Sequence, residues 1–174
     1  MNILRQADKA WHSVKLGTGS SSIGRAGCLL TCLAQASCNV GKQLAPPELN
    51  ALGLAANAFR GSNAIVRALA ACAGFDADPA KRVNAVQGAK AMRDALDAAL
   101  TSGQALVGVT HDDDPATDHW ILASKRNAFG FECSDPATGQ WVMLGDNLEC
   151  ETVWAGARKH YRATSVVPLV LRTG

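Results

Sequence analysis

Residues 119–135, HWILASKRNAFGFECSD, decide how this chain is read. HWILAS and FGFEC are short runs rich in aliphatic and aromatic residues, and the polar KRNA between them has the length of a turn. Together they predict an antiparallel hairpin whose centre lies near Arg126–Asn127. The same texture continues on both sides. ALVGVT (105–110) precedes the hairpin, WVML (141–144) follows the turn DPATG, and the apolar run SVVPLVL (165–171) lies near the C-terminus. Pro168 in that last run lacks a backbone donor and predicts an edge position. From Gln104 onward, then, the chain reads as antiparallel strands.

The first half has a different period. Residues 28–100 read as helices. One opens at Cys28 and runs through LLTCLAQAS, and another begins at Pro46-Pro47-Glu48, where proline suits the first helical turn. A third is expected from Ser62, a good N-cap, to Gly74, a good C-terminal stop. A fourth is expected near 85–101, with Val86, Ala89, Met92, Leu96 and Leu100 on one face. Helices followed by antiparallel strands define an α+β class. With 174 residues, 48% of them hydrophobic, and no internal repeat or linker, one domain over residues 1–174 is expected.

Several function classes are disfavoured by composition. The formal net charge is +2 and no Lys/Arg run stands out, so the electrostatic footprint of a nucleic-acid binder is missing. No stretch approaches the roughly 20 apolar residues of a membrane helix. The N-terminus MNILRQADKAWHS is too polar for a signal peptide. The protein is expected in the cytoplasm as made, with lysis or incorporation into a virion as routes out. The six cysteines, at 28, 32, 38, 72, 133 and 150, show no C-x-x-C pair, and the histidines at 12, 111, 119 and 160 fall at no ligand spacing. Neither a metal nor another cofactor is expected. Cys32, Cys38, Cys72, Cys133 and Cys150 read as small apolar residues.

Cys28 stands apart. In GRAGCLLTCLAQA (24–36), two glycines precede it and a helix starts at it. A helix N-terminus favours the thiolate, which is the nucleophilic form, and glycines let a substrate chain approach the backbone. Cys32, one turn on, is expected to be buried. A thiolate nucleophile needs a base held in place by a third group. His119 opens a strand after a polar loop, and the hairpin register sets it opposite residue 134 or 135, where Asp135 stands. Asp118 is unsuited, since neighbouring side chains on a strand point to opposite faces. Asp135 has an ordinary reading too, because Asp-Pro starts turns. His111 and the HDDDPATD loop (111–118) form a competing site. Their aspartates lack the alternating spacing of a calcium loop, so they read as a solvated segment bordering the cleft. His12 and His160 read as surface or packing residues. Trp120 and Trp141 flank the site in sequence, and Trp11 is placed to cover it.

Cys28 in GCLLTCLAQA, the DHWILAS strand, the SDPATGQW turn, the opening ILRQADKAW, APPELN and ALTSGQALVGV occur in an order that resembles the papain-like C39 peptidases, stand-alone bacterial or phage members in particular. The resemblance runs over most of residues 3–144. It implies a papain-like fold, an N-terminal helical half with the nucleophile at a helix N-terminus, packed on a C-terminal antiparallel sheet. It also implies roles: Cys28 as nucleophile, His119 as base and then acid, Asp135 orienting His119, and Gln6 donating its side-chain amide to the oxyanion beside the Cys28 N–H. Cys32 stands where the family often carries serine or another small residue. No transporter domain or cell-wall-binding module is recognisable, so the leader-cutting role of exporter members is not expected.

The resulting expectation is a cysteine hydrolase acting on a peptide or isopeptide bond. Two substrate settings stay open: the stem peptide of bacterial cell wall, cut by a phage lysin or tail-tip hydrolase, and a protein substrate. Two alternatives stand beside it. One is a structural or binding component of a phage tail or other assembly that keeps the fold without catalysis. The other is an enzyme transferring the acyl group to an amine.

Overall fold

The computed structural model describes residues 2–112, 118–154 and 156–173. The helices are α1 (Ile23–Ala26), α2 (Cys28–Asn39), α3 (Pro46–Ala55), α4 (Val66–Ala73) and α5 (Ala89–Ser102). Two short hairpin strands, β1 (Phe59–Arg60) and β2 (Asn63–Ala64), lie between α3 and α4. The minor strands β3 (Phe75–Asp76) and β4 (Val83–Asn84) lie between α4 and α5. The main strands follow: β5 (Gln104–His111), β6 (His119–Asn127), β7 (Gly130–Asp135), β8 (Gln140–Leu144), β9 (Glu149–Trp154) and β10 (Ala157–Leu171). Every pairing is antiparallel, in the order β3-β10-β5-β6-β7-β8, with β4 and β9 also paired to β10. The class is α+β, as the change of period at Gln104 foretells. Among the described residues no helix is long and apolar enough to cross a membrane.

The large sheet is buried on both faces, which is why ALVGV and ILA read as continuous apolar runs rather than as alternation. Leu106, Leu122, Val167 and Leu169 point into a core shared with α2, α3 and α4. Their neighbours Ala105, Val107, Ile121, Ala123 and Val166 point the other way, into a second core with Met92, Leu96 and Ala99 of α5. The last helix of the helical half therefore lies on the opposite face of the sheet from the rest.

Four sequence expectations need correction. Ser62 does not cap a helix. Gly61 adopts φ 64° and turns β1 into β2 there, Ser62 Oγ accepts from the Ser21 N–H at 3.2 Å, and α4 starts only at Val66. The fourth helix starts at Ala89, because Gly88 breaks it with φ 91°, and Val86 sits 93% exposed in a preceding 3-10 turn. Pro168 lies on β10, which is internal to the sheet. Its missing donor is tolerated because, opposite β5, β4 pairs at Ser165–Val166 and β3 at Val170–Leu171, leaving Pro168 between them. The hairpin turn lies at Ala128–Phe129 rather than at Arg126–Asn127, and β6 carries a bulge between Ala123 and Lys125.

Candidate active site

The start of α2 is set by close packing. A Cβ on Gly27 would run into the Ile23 carbonyl, and one on Gly24 would meet the His12 backbone oxygen at 2.8 Å. Only glycines allow the four-residue α1 to turn directly into α2 and put Cys28 at its first position. There the Cys28 N–H has no acceptor inside its own helix. One turn on, Cys32 is 1% exposed and its thiol meets the Trp120 carbonyl at 3.3 Å. That contact holds α2 against β6 and sets Cys28 beside His119, the first residue of β6.

His119 Nε2 lies 2.8 Å from Asp135 Oδ1, with both groups buried. Nδ1 is thereby left to serve Cys28. Burial alone would lower the imidazole pKa, but hydrogen bonds to Asp135 and to the Cys28 thiol, and the negative charge of each, push it up to about 9. The Asp135 carboxyl is drawn upward by burial, yet His119, the Ala137 N–H and Thr138 together hold it below the usual carboxylate range.

Asp135 makes both sets of contacts that its sequence setting allows. Its Oδ1 accepts from the Ala137 N–H at 2.9 Å, and its backbone carbonyl accepts from the Gly139 N–H at 2.8 Å, so it starts the DPATG turn. Its Oδ2 accepts from Thr138 at 3.0 Å and Thr152 at 3.3 Å. The two hydroxyls and one amide fix the carboxylate in the orientation that meets the imidazole. The pair forms in a register other than the expected one. The last pair is Leu122 with Ser134, so Asp135 lies level with Ile121, and His119 is its diagonal neighbour on the same face.

Gln6 is drawn to the same place from the N-terminal segment. Its backbone N–H donates to the Pro136 carbonyl at 2.8 Å, directly after Asp135, and Leu4 N–H donates to Gln35 Oε1 of α2 at 2.8 Å. The Gln6 Nε2 donates one hydrogen to the Gly24 carbonyl at 3.2 Å and keeps a second. Its buried Oε1 has no partner among the described residues.

Gln6, Cys28 and His119 line one cleft of about 430 Å³, and Asp135 stands behind His119. Leu16, Ser62, Ala64 and Val66 form a further part of the lining, so the unexpected β1–β2 hairpin contributes to it. His111 and Asp118 also line the cleft. Residues 113–117 of the acidic loop lie outside the described residues. Trp120 lines the cleft, but Trp141 does not, and Trp11 packs against the helical core with its Nε1 on the Arg5 carbonyl at 2.9 Å. His12 is exposed, and His160 pairs with Asp112 at 2.6 Å on the surface.

All six thiols are free. Burial pushes those of Cys32 and Cys133 well up and that of Cys150 to about 12. These three stay protonated at neutral pH, and Cys28 is the thiol that lines the cleft beside an imidazole. Thr138, Thr152 and Tyr161, whose ring lies 5.5 Å from that of His119, were not singled out in the sequence. Threonine three residues after an Asp-Pro turn is a usable signal for the first. Thr152 and Tyr161 come from β9 and β10 and carry no local sign. Comparison with protein-family models, with curated proteins and with solved structures finds no match to this chain.

Proposed function

We propose that the protein is a cysteine hydrolase of the papain-like, C39-like kind, cleaving a peptide or isopeptide amide bond through a thioester. The observation that carries this reading is the ordered contact chain from Cys28 to His119 to Asp135, opening on a cleft. Cys28 is the nucleophile, and His119 holds the thiol proton on Nδ1. The thiolate attacks the carbonyl carbon, and the oxyanion that develops faces the Cys28 N–H and the free Nε2 hydrogen of Gln6. A neutral amide suits this place, because it stabilises the oxyanion without pairing permanently with the thiolate. Such a donor contributes about 3–4 kcal/mol to the transition state. Collapse breaks the C–N bond as His119 protonates the leaving amine. His119 then takes a proton from water, the hydroxide attacks the thioester, and the acid departs as the thiol reforms.

Cell-wall stem peptides and protein segments are the two substrate settings for this chemistry. The test is mass spectrometry of purified sacculi and of a peptide library, each treated with wild type and with Cys28→Ala. New fragment ends produced by wild type alone are expected, and their masses name the bond. If folded wild type leaves both substrates uncut while iodoacetamide modifies Cys28 no faster than an unfolded thiol, the hydrolase reading fails and the assembly-component reading replaces it.

A further inference from the structure

The cleft carries two charges that the proposed hydrolysis does not use. Among the described lining residues, Arg25 is the fixed cation and Asp118 the fixed carboxylate. Both are exposed, and neither has a side-chain ion pair or hydrogen bond among the described residues. Exposed charges on this surface commonly find partners, as Lys90 with Asp94, Arg126 with Asp146 and Arg158 with Glu151 do. Among the described residues, the two charges that line the cleft stay unpaired. Among the described lining residues the rest are neutral or apolar apart from Cys28 and the two histidines.

Each belongs to the segment that delivers one member of the reacting pair. Arg25 is in the α1 turn that leads into Cys28, one residue after the Gly24 carbonyl that anchors Gln6. Asp118 immediately precedes His119 and leads into β6. The cation is thus carried by the segment that delivers the thiol, and the carboxylate by the segment that delivers the imidazole. In the proposed reaction, on which this inference rests, the acyl half of the substrate stays on Cys28 and the leaving half departs past His119. We infer that the cleft selects a peptide with a carboxylate in its acyl half, read by Arg25, and an amine in its leaving half, read by Asp118. The apolar Leu16, Ala64 and Val66 then hold the uncharged part of the chain. Each contact is exposed, so each contributes about two- to fivefold in rate. Most of that falls away in high salt, where the screening length shrinks to a few ångströms.

The test uses four peptide electrophiles with an unsaturated sulfone in place of the scissile amide, extended on both sides. They are acid–amine, amine–acid, wholly neutral, and acid on both sides, and the readout is the second-order rate of Cys28 modification. The acid–amine probe is expected to react fastest, about tenfold faster than amine–acid at low salt, with the order flattened in 0.5 M NaCl. In the double variant Arg25→Glu, Asp118→Lys the order reverses. Both positions are exposed, and circular dichroism checks that the variant is folded. Equal rates for all four probes, or an order that survives the double reversal, overturn the inference while leaving the nucleophile intact. If no probe modifies Cys28 faster than it modifies an unfolded thiol, the hydrolase reading falls and takes this one with it.

Discussion

At the scale of single residues, the decisive group is the carboxylate of Asp135. It accepts from one backbone amide and two threonine hydroxyls as well as facing His119, so its position does not depend on the imidazole. Asp135→Asn keeps the size and the acceptor oxygen that the turn uses. That oxygen, Oδ1, is also the atom that faces Nε2, so the ring keeps its tautomer but loses the charge that stabilises the imidazolium. The ring then holds the thiol proton less well. Amide hydrolysis is expected to fall by about 10²–10⁴ in kcat with little change in KM. The His119 titration, followed by imidazole nitrogen NMR, is expected to move from about 9 toward or below the ordinary 6.5. An unchanged midpoint in the variant would show that Asp135 does not hold the imidazolium. Gln6 shows what a single residue withholds from a sequence reading. Its role in the reading comes from the family resemblance, whereas its placement depends on Pro136 and Gly24, and no local pattern links those three positions.

At the scale of elements, what was legible followed local physical rules, and what was missed followed long-range ones. The start of α2 at Cys28, the proline start of α3 and the glycine stop after α4, with Gly74 at φ 94°, are all written in neighbouring residues. The strands β5 to β8 announce themselves by composition. The two-residue β3 and β4, and β9, do not, since they exist through pairing with β10, the 15-residue strand that holds much of the sheet together. The hairpin register was missed for a definite reason. Asn127 Oδ1 accepts from the Phe129 N–H at 2.8 Å, and Gly130 adopts φ 140°, which pulls the turn two residues along from the middle of KRNA. The bulge after Ala123 adds one residue to β6. The contact of His119 with Asp135 survives because the net displacement keeps both side chains on one face and Asp135 within diagonal reach. The element on which the site depends most is the α1–α2 junction. Gly27→Ala forces Cβ against the Ile23 carbonyl, and relief requires the first turn of α2 to shift. The cost to stability is expected at about 1–3 kcal/mol, with a larger loss in the rate of Cys28 alkylation than in that of Cys38, which lies at the far end of the same helix. Equal slowing at both cysteines would mean that the helix loosens as a whole instead of shifting at its start.

At the scale of the molecule, the site joins the two cores. Cys28 arrives on a helix that belongs to the first core, whereas His119 packs near Tyr161, which belongs to the second. The imidazolium and the buried carboxylate therefore contribute to stability only when both faces of the sheet are covered, and that contribution depends on pH. The folded His119 pKa is raised, so its contribution is complete below the ordinary value of about 6.5 and is lost as pH climbs through 9. The Asp135 pKa is depressed, so its contribution is present above the ordinary carboxylate value and is lost as pH falls through the folded one. The proton that His119 holds is the one Cys28 gives up, so in wild type the two titrations offset and the term shows only with the thiol removed. In Cys28→Ala the unfolded chain releases the His119 proton near 6.5 while Asp135 still raises the native imidazole, so the free energy of unfolding falls by up to about 1.4 kcal/mol per pH unit above that value. Denaturant unfolding of Cys28→Ala and of Cys28→Ala, Asp135→Asn across pH 5–10 isolates it, because the other titrating groups are shared. The first curve is expected to be the steeper above pH 6.5 and to run parallel to the second below 6. Parallel curves across the whole range would mean that Asp135 does not raise the imidazole pKa, and the thiolate alone would then hold the proton on His119.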